Sequence, residues 1–570
     1  MSDAIAWAGS DGRRHLAIVG GGQAAKWLLF GLAERLARGE RSLSQLRISV
    51  FERGWEFGTG FAWSRHNTLA EHETSLAAPI SRVAFGDDQR RQFQDTVSLL
   101  REHGLIVDLR RGIEIASIQR ENGALHLSIA GGDSVRADAV VLASGHWQPR
   151  DPLEGAPGYH VSPWPAAKLQ EDVCGRWLRE GARASKRVLV LGTYLNALDA
   201  VISLSHRVGR FIEEADGGLR FEGPRQFSIV MGSRRGSLPR VWGRAPSLRP
   251  ARVLTAAALE SLRGAANAEG FVPLDACIEL LEQEIALEQG QRPSLRLLRV
   301  AAGPGRKRCA ADTTIGLRHR LASDLRAAFA PESGSRRYAD TLRVPWQVAL
   351  FSTLPVLSEY SHALCAEDEF DFDQRLRTRL FHHAMPMTLH SARKLQALMA
   401  SGHLQVMALG PHYACVPNLQ GVVLTSPALE ALREIQEFTD VVRAYAGSGD
   451  IRHHPTSLVQ GALRSGILQP AARYFRNPDH ADTIAVRKGA SALIERRRGP
   501  ALVVGGVDVN PGTREVIGAD SEFATADQPL LFAMGPLLIG QFLDAHSIGQ
   551  LIRDSGRILD TLTSTQKRTK

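Results

Sequence analysis

Three glycine-containing turns, each preceded by a short apolar run, hold the residues of this sequence best suited to chemistry. The first is Gly20-Gly21-Gly22-Gln23-Ala24-Ala25, a G-x-G-x-x-A pattern. Gly20 permits a tight turn, Gly22 lets a pyrophosphate approach the backbone, and Ala25 lets a helix pack close to the preceding strand. A helix starting here offers free N–H groups and a positive dipole end to the phosphates. Glu52, with Arg53 after it, closes the next apolar run, where a carboxylate can accept hydrogen bonds from ribose hydroxyls. The chemistry is dinucleotide binding.

An acid at position 52, rather than a base, argues for a ribose without a 2′-phosphate, hence FAD or NAD. The next residues favour FAD. A second glycine loop, Phe57-Gly58-Thr59-Gly60-Phe61-Ala62-Trp63, follows at once, where the longer cofactor needs further support. Ala139 to Leu142 reads as a strand that ends in Ala143-Ser144-Gly145-His146. Ser144 and Gly145 resemble the segment that two-dinucleotide flavoproteins place at their domain junction. Near the C-terminus, Phe532-Ala533-Met534-Gly535-Pro536-Leu537-Leu538-Ile539-Gly540 follows a short strand. By analogy of fold, a turn from Gly535 to Gly540 would face backbone N–H groups toward a flavin pyrimidine. A Gly/Pro turn before a packing helix is the plainer reading.

The other turn is Gly192-Thr193-Tyr194-Leu195, after the apolar run Val188–Leu191. Tyr194 stands where the second glycine belongs, and its side chain is expected to crowd a pyrophosphate. The following strand, Phe227 to Met231, runs into Gly232-Ser233-Arg234-Arg235-Gly236. Guanidinium groups here suit a 2′-phosphate through bidentate charge-assisted bonds, which would make the second nucleotide NADPH. An exposed basic turn is the alternative.

The elements that must position these groups follow from periodicity. Leu16–Val19 has no polar alternation, as a strand buried on both faces requires. Ala25, Leu28, Leu29, Leu32 and Leu36 then repeat at helical spacing. The strand–turn–helix unit recurs at Arg187–Ser205, which predicts an α/β protein with two dinucleotide-binding Rossmann-like domains and an additional, mostly helical segment. The expected division is an FAD-binding domain beginning over 1–170 and an NADPH-binding domain with insertions over 171–335. A helical segment over 336–498 and a completion of the FAD domain over 499–570 follow.

Composition narrows the class. Apolar content of 44% and charged content of 23% are those of a globular protein. No apolar run reaches the roughly 18–20 residues that span a bilayer, and residues 1–14 have no signal-peptide core, so a cytoplasmic location is expected. Cys174, Cys277, Cys309, Cys365 and Cys415 lie far apart, so a dithiol centre or a zinc site built on close pairs has no support. The net charge of +9 comes without a nucleic-acid motif, which favours a solvated surface plus one phosphate site over nucleic-acid binding. His66, His72, His146, His382 and His383 read as core or surface histidines, and no catalytic side chain is assigned.

Taken together, these segments resemble the FAD–NAD(P)-binding family that contains the aspartate N-monooxygenases forming nitrosuccinate. They are more distantly similar to the ornithine and lysine N-hydroxylases and the flavin-containing monooxygenases. The resemblance rests on Ile18–Gly22, Phe57–Trp63, Leu142–His146, Ser162-Pro163-Trp164, Leu191–Asp199, Ser233–Pro239, His383–Pro386, Ser401–Leu404 and Gly535–Gly540. Tyr194 and the stretch 67–79, which lacks an Asn-Val-Pro-Ala pattern, depart from it. The resemblance implies that NADPH reduces FAD, that reduced FAD takes up O2, and that a C4a-hydroperoxyflavin passes an oxygen atom to an amine or amino acid. An NADPH-dependent reductase or oxidase, and a non-catalytic flavin sensor, are the alternatives; self-association is left open.

Overall fold

The computed structural model describes residues 12–74, 80–215, 218–242, 250–266, 270–289, 310–329, 344–418, 421–430, 436–445, 449–519 and 529–568. Two parallel five-stranded sheets organise it. In the first, Arg14–Val19 is central, with Leu46–Glu52 and then Ile106–Arg111 on one side. Ala139–Leu142 and then Leu530–Ala533 lie on the other. The direction of winding reverses at Arg14–Val19, so a crevice opens at the carboxyl ends of the strands where Gly20 begins.

Both faces of this sheet are covered, which explains its unbroken apolar strands. Helices Gln23–Ala37, Arg82–Glu102 and Ile548–Arg568 pack on one face through Leu28, Leu29, Phe93, Val97, Ile558 and Leu559. Burying each large side chain contributes at most about 1.5–3 kcal/mol. The antiparallel strands Ile115–Glu121, Ala124–Ile129 and Ser134–Ala137 cover the other face with residues of 451–468 and 507–545.

The second sheet repeats the order. Lys186–Leu191 is central, flanked by Phe227–Ser233 and Leu404–Ala408 on one side, and by Asp440–Arg443 and Tyr159–His160 on the other, all parallel. The stretch 336–498, expected as a helical segment, is therefore divided. Helices Val344–Tyr360, Arg377–Ala384 and Leu389–Ala400 fill its first part, but Leu404–Ala408 and Asp440–Arg443 are strands of the second sheet. Sequence periodicity missed them because each is only four or five residues long. The helices between 256 and 400 form an insertion between strands Phe227–Ser233 and Leu404–Ala408 of that sheet. Arg240 ties the insertion down: its Nε donates to Asp324 at 2.7 Å, and its backbone bonds His382 and Met387.

No helix among the described residues is long and apolar enough to cross a membrane. Cys174, Cys277, Cys365 and Cys415 are free thiols. Cys309 lies outside the described residues.

Candidate functional site

Gly20 has φ of +111°, and its N–H donates to the carbonyl of Phe51 at 2.8 Å. A Cβ there would lie 2.2 Å from the Ala143 carbonyl oxygen, so the turn admits glycine alone. Gly22 precedes helix Gln23–Ala37, and no side chain caps that helix. Its first-turn N–H groups are thus left for a ligand. A Cβ on Gly22 would come 3.1 Å from the Cα of Gly60, which places the second glycine loop directly on the first. The Gly58 N–H donates to the Gly21 carbonyl at 2.8 Å, and the Gln23 amide donates back to the Gly58 carbonyl. Ala24 and Ala25 are buried beneath.

Glu52 is pinned beside this loop. Its Oε2 accepts from Gly21 N–H at 2.7 Å and its Oε1 from Gly54 N–H at 2.6 Å. Each oxygen keeps a second lone pair for a ribose hydroxyl. Arg53 is not brought into the loop; it is 71% exposed and lies 3.9 Å from Glu114.

Three loops meet at His146. Ser144 is exposed, and Gly145 has φ of +77° with open space on its Cβ side. Next to them, the His146 ring lies 6.1 Å from Phe61 and 5.4 Å from His546. The His146 side chain is solvent-accessible yet deep within surrounding protein, as the lining of a cleft must be. Burial, and then the nearby His546, push its imidazole down to about 3. Gly535 joins the same region: a Cβ there would lie 3.8 Å from that of Ala24. Gly540 is closely packed. A Cβ on it would strike the Val504 carbonyl at 2.0 Å, and its own carbonyl accepts from buried Arg473 at 2.9 Å.

At the second turn, Gly192 has φ of +124° and packs against the Ala444 carbonyl. Thr193 donates to Ser233 Oγ at 2.9 Å, and the same oxygen accepts from Gly236 N–H at 3.1 Å. This fixes the turn against the arginine loop. Tyr194 lies outside helix Leu195–Val208, and its hydroxyl reaches the carbonyls of Phe381 and Met385 at 3.3 and 3.1 Å. Its ring stacks on His382, with centroids 5.5 Å apart. The side chain expected to crowd the pyrophosphate is thus turned toward helix Arg377–Ala384. Leu195 is half-buried against the core of the second sheet.

Arg234 is exposed, and Arg235 donates to the Gln374 carbonyl at 2.7 Å. Burial, then Arg379 and Arg234, lower the Arg235 guanidinium below its ordinary value, so three guanidiniums gather here. Arg379, Tyr413, Tyr445 and His546 were not singled out in the sequence. Each reaches the site from a distant segment, with no local motif to mark it. His146 carried a signal, its place directly after Ser144-Gly145.

No family model matches the chain. It is 23% identical over 458 residues to the protein YdhS of Escherichia coli (strain K12), a span covering 72% of this chain and 80% of that relative. Among solved structures it is similar to the ornithine hydroxylase PvdA of Pseudomonas aeruginosa. That match has 12% identity and a TM-score of 0.41, and covers 97% of this chain and 99% of that one. It is also similar to the L-lysine 6-monooxygenase of Pseudomonas syringae, with 14% identity, a TM-score of 0.42, and 96% and 99% of the two chains covered.

Proposed function

We propose that this protein is an FAD-dependent, NADPH-consuming monooxygenase that N-oxygenates an amino acid or small amine. One observation carries the reading: two glycine turns end the central strands of two parallel sheets, and their neighbours differ in charge. The first has Glu52 beside it, the second Arg234 and Arg235. A carboxylate selects free ribose hydroxyls, whereas guanidiniums select a 2′-phosphate.

The residues present fit FAD at the first turn. Gly20 lets the turn run against the Ala143 carbonyl, Gly22 lets the second glycine loop lie on the first, and helix Gln23–Ala37 lacks a side-chain cap. Glu52 would hold the ribose, the helix terminus the phosphates, and the loops at Phe61, Ser144-Gly145 and Gly535 would flank the ring. Bound FAD supplies redox chemistry and activation of dioxygen; the protein supplies orientation and exclusion of water. N-oxygenation itself rests on the sequence resemblance.

The test is turnover by the reconstituted protein with NADPH, O2 and a panel of amines and amino acids. Amine-dependent NADPH oxidation that places oxygen on nitrogen is the expected result. Stoichiometric hydrogen peroxide without an oxygenated product would assign an oxidase, and no flavin reduction by NADPH would assign a non-catalytic role.

A further inference from the structure

Strand Asp440–Arg443 ends beside the second glycine turn and runs on into Ala444 and Tyr445. A Cβ on Gly192 would lie 3.4 Å from the Tyr445 nitrogen, so Tyr445 borders that turn. Tyr445 is 38% exposed. The Arg443 guanidinium lies 5.0 Å from the ring centre. Arg443 is itself buried and paired at 2.9 Å with Asp151, which also accepts from the Tyr159 hydroxyl at 3.0 Å. Tyr413 lies beside Tyr445, and its loop is joined to Arg234, whose carbonyl accepts from the Gly410 N–H at 3.1 Å. The Tyr445 ring therefore lies against Arg443 and beside Tyr413, while the residue stays exposed next to the glycine turn.

We propose that Tyr445 is the stacking platform for the adenine base of the nucleotide held at Gly192–Tyr194, with Tyr413 fixing the ring and Arg234 receiving the 2′-phosphate. This rests on the reading of the second turn as a nucleotide site. The adenosine half is favoured over the nicotinamide half because Tyr413 connects the ring to Arg234, and the 2′-phosphate belongs to the adenine ribose. A tyrosine serving only as packing needs no supporting ion pair beneath it and no open surface. A base stacked on an aromatic ring gains affinity without a base-specific hydrogen bond, so ring shape is what matters.

The experiment is calorimetric titration of the full-length, FAD-loaded protein with adenosine 2′,5′-bisphosphate and, separately, with nicotinamide mononucleotide. Tyr445→Ala and Tyr445→Leu are expected to weaken the bisphosphate by about tenfold, with Tyr445→Phe within about twofold of wild type. Nicotinamide mononucleotide is expected to be unaffected by all three. The leucine variant keeps apolar bulk without a ring, so agreement with alanine excludes a simple loop collapse. Wild-type affinity in Tyr445→Ala, equal loss in Tyr445→Phe, or weakening confined to nicotinamide mononucleotide would each overturn the proposal. A wild-type protein that does not take the bisphosphate overturns the earlier reading of the second turn, a separate failure.

Discussion

Arg82 and Asp199 form an ion pair that joins the units built on the two sheets: Nη1 lies 2.7 Å from Oδ2, and the side chains are 12% and 9% exposed. Arg82 opens the helix that packs on the first sheet, and Asp199 lies in the helix that follows the second glycine turn. His72 adds a contact at 3.3 Å to the Asp199 carbonyl. The relative placement of the two turns therefore depends on a charge pair held out of solvent.

Asp199→Ala leaves Arg82 without that partner. Breaking a buried pair from one side costs about 3–5 kcal/mol, and the slight exposure here lowers the expectation to roughly 2–4. A chain of this size need not unfold in one step, so the readout is the lowest transition in scanning calorimetry. It should fall in Asp199→Ala and recover largely in the double variant Arg82→Met with Asp199→Leu. An unchanged thermogram for the single variant contradicts the role.

Gly20 and Gly22 should fail differently. Gly20→Ala must hold a positive φ and place its Cβ 2.2 Å from a carbonyl oxygen, so it should lower soluble yield. Gly22 has φ of −82°, which alanine adopts, and its Cβ needs the Gly60 Cα, 3.1 Å away, to give only slightly. Gly22→Ala should therefore fold with normal circular dichroism and lose FAD. If both variants retain flavin, the loop is not the pyrophosphate site.

Arg234→Ala with Arg235→Ala should raise KM for NADPH and leave NADH little changed. Each charge-assisted bond is worth about 1.5–3 kcal/mol, roughly 10- to 100-fold. Arg379→Ala should act in the same direction, since Arg379 is one of the charges acting on Arg235. Equal losses for both cofactors would remove the 2′-phosphate assignment.

Lys26 offers a test by pH. It has no exposed surface, and its ammonium donates to Gln89 at 2.5 Å and Gln92 at 2.7 Å. Burial lowers it from 10.5 to about 8, against a weaker pull upward from Asp88. Between those values the unfolded chain binds more protons than the folded one, so this group's contribution to stability rises with pH from about 8 to 10.5. The effect is on the order of 3 kcal/mol. The melting temperature of the wild type relative to Lys26→Met should climb across that window, and a flat difference contradicts it.

Local chemistry made the first glycine turn legible in the sequence. Gly20, Gly22, Ala25 and Glu52 lie within one βαβ unit, where strand pairing alone brings the acid to the turn. Gly535 was readable for the same reason, since it directly follows a strand. Long-range packing hid the rest. Leu404–Ala408 and Asp440–Arg443 enter the second sheet only after the helical insertion, so Tyr413 and Tyr445 carried no local mark. Arg379 and His546 likewise depend on how helices dock. The close approach of the 499–507 strand to Gly540 is also set by tertiary contact.

The most direct measurement is the visible spectrum of the purified protein, before and after FAD is added and then under anaerobic NADPH. The account predicts an oxidised-flavin spectrum at about one FAD per chain, lost in Glu52→Ala and bleached by NADPH faster than by NADH. A wild-type protein that stays colourless after reconstitution with FAD would contradict it.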